Sequence, residues 1–193
     1  MSSRAAIIAD LRAHLAKVAP MRAPPPPSPT GIDGLDAHIG GWPQPGIAHI
    51  HGAVGSGRMG LVLPAIQAHT QAGRTVAIVD PMSWLYPPGL PDVDLQYLML
   101  VRCGSVQAGW ATTQLAGSGA LPMIVLLDPP PLSQDASRLL RATESGQSTV
   151  AVLTETPDPR LSAQVRIRCL GGGEVRVERS TAGQVGHSIR LGL

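Results

Sequence analysis

Five short apolar runs alternate with longer stretches of helical spacing between Thr30 and Thr154, and this rhythm restricts the fold more than any other feature of the chain. The runs at 47–51, 75–79, 97–101, 123–127 and 149–153 hold no Asp, Glu, Lys or Arg. Uncharged runs of that length, bounded by turn residues, read as strands buried on both faces. The stretches between them at 57–72, 105–118 and 133–145 have the length and spacing of helices. Strand, helix, strand in repetition predicts a parallel sheet, because parallel neighbours cannot be joined by a hairpin. After Pro159 the pattern changes to three strands with short turns, at 165–170, 174–179 and 188–191. Gly171-Gly172-Gly173 makes the first two a hairpin, which extends the sheet antiparallel. The fold class is therefore α/β: a central, mostly parallel sheet flanked by helices, with a C-terminal antiparallel extension.

Three parts are expected. Residues 30–193 make the α/β domain. Residues 1–18 place Ala5, Ile8, Leu11, Leu15 and Val18 at helical spacing, an amphipathic helix too short to be stable alone. Residues 19–29 include Pro24-Pro25-Pro26-Pro27 and form an extended, polyproline-like tether. A helix on a stiff tether either docks on a neighbouring subunit or partner, or folds back on its own domain; the sequence leaves both open. Trp84-Leu85-Tyr86-Pro87-Pro88 is a second apolar segment with the look of a contact loop.

Composition narrows the classes. With no Phe, three Trp and two Tyr, the core must be built from Leu, Val, Ile and Ala. The net charge of +2 gives no general electrostatic pull toward nucleic acid. No run approaches the roughly 20 apolar residues of a membrane helix. Asp10, Arg12, His14 and Lys17 interrupt any signal-peptide core, so a cytoplasmic location and no membrane partner are expected. Cys103 and Cys169 read as reduced, part-buried thiols rather than a metal site.

One loop carries chemistry. Gly52-Ala53-Val54-Gly55-Ser56-Gly57-Arg58-Met59 follows the first strand and opens the first long helix. Its glycine spacing is that of a phosphate-binding P-loop, whose backbone N–H groups wrap a phosphate at a helix N-terminus. The two chemical positions differ. Arg58 stands where Lys reaches the phosphates, and Met59 stands where a hydroxyl binds magnesium. A planar guanidinium is not equivalent to a compact ammonium, and a thioether is a poor ligand for a hard cation. Pro64, two turns into the helix, is expected to kink it.

The loop sits in a series. Thr30-Gly31-Ile32-Asp33-Gly34-Leu35-Asp36 comes first, then Gly40-Gly41-Trp42-Pro43-Gln44-Pro45-Gly46 before the first strand. Ala72-Gly73-Arg74 leads into a second strand ending at Asp80, and Met123–Leu127 ends at Asp128. In this order the segments resemble the RecA/RadA family of P-loop proteins over residues 28–193. Within that superfamily the short length, the tethered helix and the Gly55-Ser56-Gly57-Arg58 wording are most similar to ImuA, the RecA-like accessory of bacterial SOS mutagenesis cassettes, and to the SulA-like relatives.

The resemblance assigns roles that this sequence departs from. Asp128 corresponds to the acid that helps hold magnesium, or serves only as a strand-end acid before Pro129-Pro130-Pro131. The catalytic glutamate, two residues after Asp80, is replaced by Met82, which cannot deprotonate water. Glu155 takes the place of the nucleotide-sensing glutamine and would repel a triphosphate. Only 156–164 and 129–133 remain where RecA carries its DNA-binding loops. Metal and general-base assistance each contribute several kcal/mol to such barriers, so their joint loss makes hydrolysis improbable.

The reading implied is a non-catalytic RecA-like accessory of the bacterial DNA-damage response and SOS (translesion) mutagenesis, acting through protein–protein interaction. Its expected partner is an error-prone polymerase-associated subunit, with self-association through Ile8, Leu11 and Leu15 as a further expectation. No cofactor is expected. One alternative is a weak ATP/ADP-binding switch or ATPase built on Gly52, Gly55, Ser56, Gly57, Arg58, Met59 and Asp128. Another is a DNA-binding protein using Arg166, Arg168, Arg176, Arg179 and Arg190, which alternate along the C-terminal strands as one basic face, unless that face is merely solvated. Trp84 belongs to the expected partner contacts. His49 and His51 face one side of the first strand, with Asp33 and Asp36 preceding them, but no third clear metal ligand is present.

Overall fold

A computed structural model describes residues 26–132, 136–181, 183 and 185–192; the expected helix over 3–18, most of the tether and residues 133–135 lie outside these. Strands β1 (Gly46–His51), β2 (Val76–Asp80), β3 (Leu98–Arg102), β4 (Met123–Leu127), β5 (Thr149–Thr154) and β6 (Val165–Gly171) pair in parallel. Strands β7 (Glu174–Arg179) and β8 (Ser188–Arg190) add antiparallel. One sheet results, in the order β3-β2-β4-β5-β1-β6-β7-β8. β1 lies inside it, pairing Gly46 with Thr149 through His51 with Thr154 on one side and Ala48–His51 with Val165–Arg168 on the other.

Helices α1 (Asp33–Ile39) and α2 (Arg58–Gln71) cover one face, and α3 (Ser105–Gly117) and α4 (Ala136–Gly146) the other. Strand alternation divides the core accordingly. Ala48 and Ile50 of β1 pack with Leu61, Val62 and Ile66 of α2, while Ile47 packs in the cluster that holds Ala108, Ala116 and Leu139. Every residue of β1 and β2 is buried, which is why these runs carry almost no charge.

The five strands and three long helices lie where the apolar runs place them, with ends moved by a residue or two, save that the start expected at 133 for the third helix lies outside the described residues. Helix α1 was not foreseen. It has seven residues and buries only Leu35 and Ile39, too few to show a helical period. Asp36 anchors its entrance by accepting the Thr30 N–H at 2.9 Å. Pro64, expected to kink α2, does not end it: the helix is continuous through the ring, which removes one backbone bond. The ring packs against the incoming chain, where a Cβ on Gly31 would come within 2.7 Å of Pro64 Cβ.

Where α3 meets α4, Gly146 approaches the Ala116 carbonyl so closely that any Cβ would collide with it. Gly146→Ala is expected to destabilise the fold by about 1–3 kcal/mol in urea unfolding, the cost of overpacking against rigid backbone.

Two buried histidines set a pH dependence. Burial pushes His49, on β1, down to about 4, with Arg166 and His51 adding to the effect. Burial likewise pushes His69, on α2, down to about 4, with Arg74 adding. Both stay neutral in the fold, whereas an unfolded histidine protonates near 6.5. The unfolded chain therefore binds more protons between these values. Stability is fully present above pH ~6.5 and falls toward pH 4, by up to about 1.4 kcal/mol per pH unit for each histidine. Unfolding free energies measured from pH 7.5 downward should show this decline, and His69→Gln should make it shallower.

Candidate functional site

The loop Gly52–Gly57 leaves β1 at its carboxyl end, in the crevice where open parallel sheets place ligands. Two bonds fix its shape: Gly52 N–H donates to the Thr154 carbonyl at 3.1 Å and Ser56 N–H to the Ala53 carbonyl at 3.0 Å. Gly55 (φ 78°) and Gly57 (φ 95°) have left-handed backbones with open space around them, so conformation alone demands glycine there. Gly52 is held by crowding, since a Cβ would lie 2.6 Å from the Cys169 carbonyl. Cys169, beneath the loop, has its thiol pushed up to about 11 by burial, against the pull of Arg58 and the Ser56 hydroxyl. The N-terminus of α2 behind the loop has no side-chain cap.

Arg58 does not offer its charge to this cradle. Its Nη1 donates to Asp128 Oδ1 at 2.5 Å and its Nη2 to Oδ2 at 3.3 Å, a fork against a carboxylate. The two side chains are 9% and 27% exposed. Asp128 is held from behind by its own N–H, which donates to the Leu153 carbonyl at 2.8 Å. Asp128 is thus neither a free magnesium-side acid nor a simple strand-end cap, but the counter-ion of Arg58. Met59 packs against the core under α2 and offers no oxygen. A magnesium–nucleotide does not fit these residues: the cation for its phosphates is neutralised, the acid for its metal is engaged, and the hydroxyl ligand is missing.

The two other departures lie at the same end of the sheet. Met82, 44% exposed, lines a cavity of about 200 Å³ together with Arg58, Asp80, Asp128 and Trp84. Asp80 is buried and accepts the Leu85 N–H at 2.8 Å, which fixes the loop after β2. Glu155 is exposed on a second cleft of about 660 Å³, between the ends of β4 and β5. Trp84 lines both cavities and is 69% exposed, nearby in the chain Tyr86 is 71% exposed, and Leu85 packs against the core.

His49 and His51 do share one side of β1, with ring centroids 5.6 Å apart. His51 Nε2 lies 2.9 Å from Glu178 Oε2. Thr154 gives its single hydroxyl proton to the Thr156 carbonyl, so it must accept from His49, which therefore carries its proton on Nε2. Asp36 is engaged with Thr30, and among the described residues no three His, Cys, Asp or Glu side chains group as metal ligands.

The arginines of β6–β8 do not make a uniformly basic face. Arg166 is half-buried and donates to the carbonyls of Asp158 and Leu161. Arg168 and Arg176 are exposed, but the same alternation brings Glu174 and Glu178 to their side. Arg179 pairs in register with Arg166 at a bulge in the ladder, and Arg190 is exposed on β8. Strict alternation already places both glutamates beside Arg176; what the bulge adds is Arg179, which simple alternation would put on the other face.

The Arg58–Asp128 pair escaped the sequence as well, joining residues seventy apart; its one signal is arginine in place of lysine, since only arginine can fork onto both oxygens. A double-mutant cycle tests it. Asp128→Leu should cost about 2–3 kcal/mol, less than for a fully buried pair because Asp128 is part exposed. Arg58→Met combined with Asp128→Leu should lose less than the sum of the singles, by about 1–3 kcal/mol. Additive losses would mean that the pair is not coupled.

No protein-family model matches the chain, and no curated protein matches it. Among solved structures it is similar to the crystal structure of the RadB recombinase, with a TM-score of 0.66 and 17% identity, over 82% of this chain and 92% of that one. At that identity the likeness shows the fold alone. The chain has a RecA-like α/β fold, and the glycine loop after β1 leads into an internal ion pair beside a cavity of about 320 Å³.

Proposed function

We propose that this chain is a non-catalytic RecA-like accessory of the bacterial DNA-damage response, serving SOS (translesion) mutagenesis in the cytoplasm by binding proteins. The non-catalytic half rests on one observation, the Arg58–Asp128 fork, which occupies the cation and the acid that nucleotide and magnesium would need. The adaptor half is supported by the apolar character of the same end of the sheet, where Val54, Met82, Trp84 and Tyr86 are all substantially exposed. Exposed apolar residues gathered around a self-neutralised site suit a protein surface better than an anion. An error-prone polymerase-associated subunit is the partner that the sequence resemblance points to. Among the described residues no helix is long and apolar enough to cross a membrane.

A second reading, a weak ATP/ADP-binding switch, draws on the glycine frame of the loop, which keeps its left-handed turns and uncapped helix N-terminus. It requires nucleotide phosphates to displace Asp128 from Arg58.

Thermal unfolding with millimolar ATP and magnesium separates the two. The adaptor reading expects no shift and no phosphate release. Stabilisation that disappears in Arg58→Ala would establish the switch instead, since a ligand at 100 times its Kd stabilises by about 2.7 kcal/mol. Co-precipitation with the polymerase subunit encoded in the same genome should succeed with the wild-type chain and weaken in Trp84→Ser.

A further inference from the structure

We propose that the small pocket between the loop after β2 and the end of β4 receives one basic side chain, an arginine or lysine, of a partner protein. The inference rests on reading this end of the sheet as a protein surface rather than a nucleotide site, and it names the chemistry that the surface selects.

The pocket measures about 200 Å³ and has Val54, Met82, Trp84 and Leu127 as apolar walls. Pockets for whole small molecules run from about 300 to 1,000 Å³, so this one holds a single long side chain. One part of its lining is polar. Asp80 is only 1% exposed, and its Oδ2 accepts the Leu85 N–H at 2.8 Å. Among the described residues no other bond reaches this carboxylate, and no cation stands within ion-pair distance of it. That leaves Oδ1 free on a residue that lines the pocket.

The wall beside Asp80 is set in place in advance. Arg102, in register with Asp80 on the neighbouring strand, turns to the Leu85 carbonyl and donates to it at 3.3 Å. Leu85 is thus clasped by both its N–H and its C=O. Ser83 has a left-handed backbone (φ 56°), a conformation that persists only where its surroundings enforce it. Trp84 lies between these two points with its ring 69% exposed. An anchor ordered before binding loses little entropy when a partner covers it.

Charge selects the occupant. Arg58 neutralises Asp128 in the pocket wall, which leaves Asp80 over. The adjoining cleft adds Glu155 and Asp158 against Arg160. Four acids therefore face two cations here, in a chain whose net charge is +2. That local excess repels phosphate and attracts a cation. A basic side chain entering beside Trp84 meets a ring face and a carboxylate oxygen together, and both favour it. A free amine would satisfy Asp80 but leave Val54, Met82 and Trp84 uncovered, whereas a side chain carried on a partner's surface brings the apolar cover with it.

Proton–nitrogen NMR of the full chain tests this, with the indoles of its three tryptophans assigned through Trp84→Phe and Trp110→Phe. The probe is a capped tripeptide with arginine between two leucines, and its control carries citrulline, which keeps the shape of arginine without the charge. The arginine peptide should shift the Trp84 indole saturably in the millimolar range and leave those of Trp42 and Trp110 unmoved. The citrulline peptide should bind at least about tenfold more weakly, as for loss of a hydrogen bond to a charged group. Asp80→Asn, which keeps an oxygen for the Leu85 N–H, should weaken the arginine peptide by at least about tenfold as well. An unmoved Trp84 indole, equal binding of the two peptides, or Asp80→Asn binding like the wild type would each overturn the proposal. The peptide pair is compared on the wild-type chain, so the test stands even where Asp80→Asn does not fold. Self-association of the chain that the arginine peptide dissolves would give the pocket to a second copy and overturn the partner assignment. ATP-dependent stabilisation in the thermal assay counts against the adaptor reading, and loss of arginine selectivity counts against this pocket, so the two failures are distinguishable.

Discussion

The ion pair between Arg58 and Asp128 joins the start of α2 to the end of β4, and the character of the whole carboxyl face follows from it. A phosphate loop keeps an unsatisfied cation at a helix N-terminus so that an anion can complete it. Here the carboxylate that completes it belongs to the protein. The exchange of lysine for arginine makes this workable: an ammonium is a point charge, whereas a guanidinium donates two parallel bonds and satisfies both carboxylate oxygens in a part-buried setting. Breaking the pair leaves a largely buried charge, so the closed arrangement is self-reinforcing.

The pair sits between cavities lined by the loop glycines on one side and by Met82 and Trp84 on the other. The resemblance would put a base and a sensor at Met82 and Glu155, whereas the structure shows two exposed side chains of different chemistry. Methionine offers adaptable apolar contact, and the carboxylate offers a partner for a basic side chain. The shared fold with a recombinase structure does not decide between these uses, because function resides in the site rather than in the sheet that carries it.

Much of the architecture was legible because burial on both faces imposes uncharged runs on β1, β2, β4 and β5, and the intervening lengths admit only helices. Met82 and Glu155 could be located at the carboxyl end of the sheet because they lie two residues and one residue past the ends of β2 and β5. Other features carried no such mark. Helix α1 buries two side chains, too few for a period. The supposed basic face of β6–β8 failed as a simple pattern because Glu174 and Glu178 alternate with Arg176 on the same side of β7.

The sequence by itself determined the strand–loop–helix frame around Gly52–Arg58, because burial of β1 and the left-handed turns at Gly55 and Gly57 are local requirements met by local residues. It also determined that Met59 and Met82 cannot bind magnesium or activate water, since that follows from side-chain chemistry. Only the tertiary structure decided where the charge of Arg58 goes. Asp128 reaches it because β4 stands two places from β1 in the sheet, with only β5 between. Strand order is set by packing across the whole core, and no local pattern of residues records it.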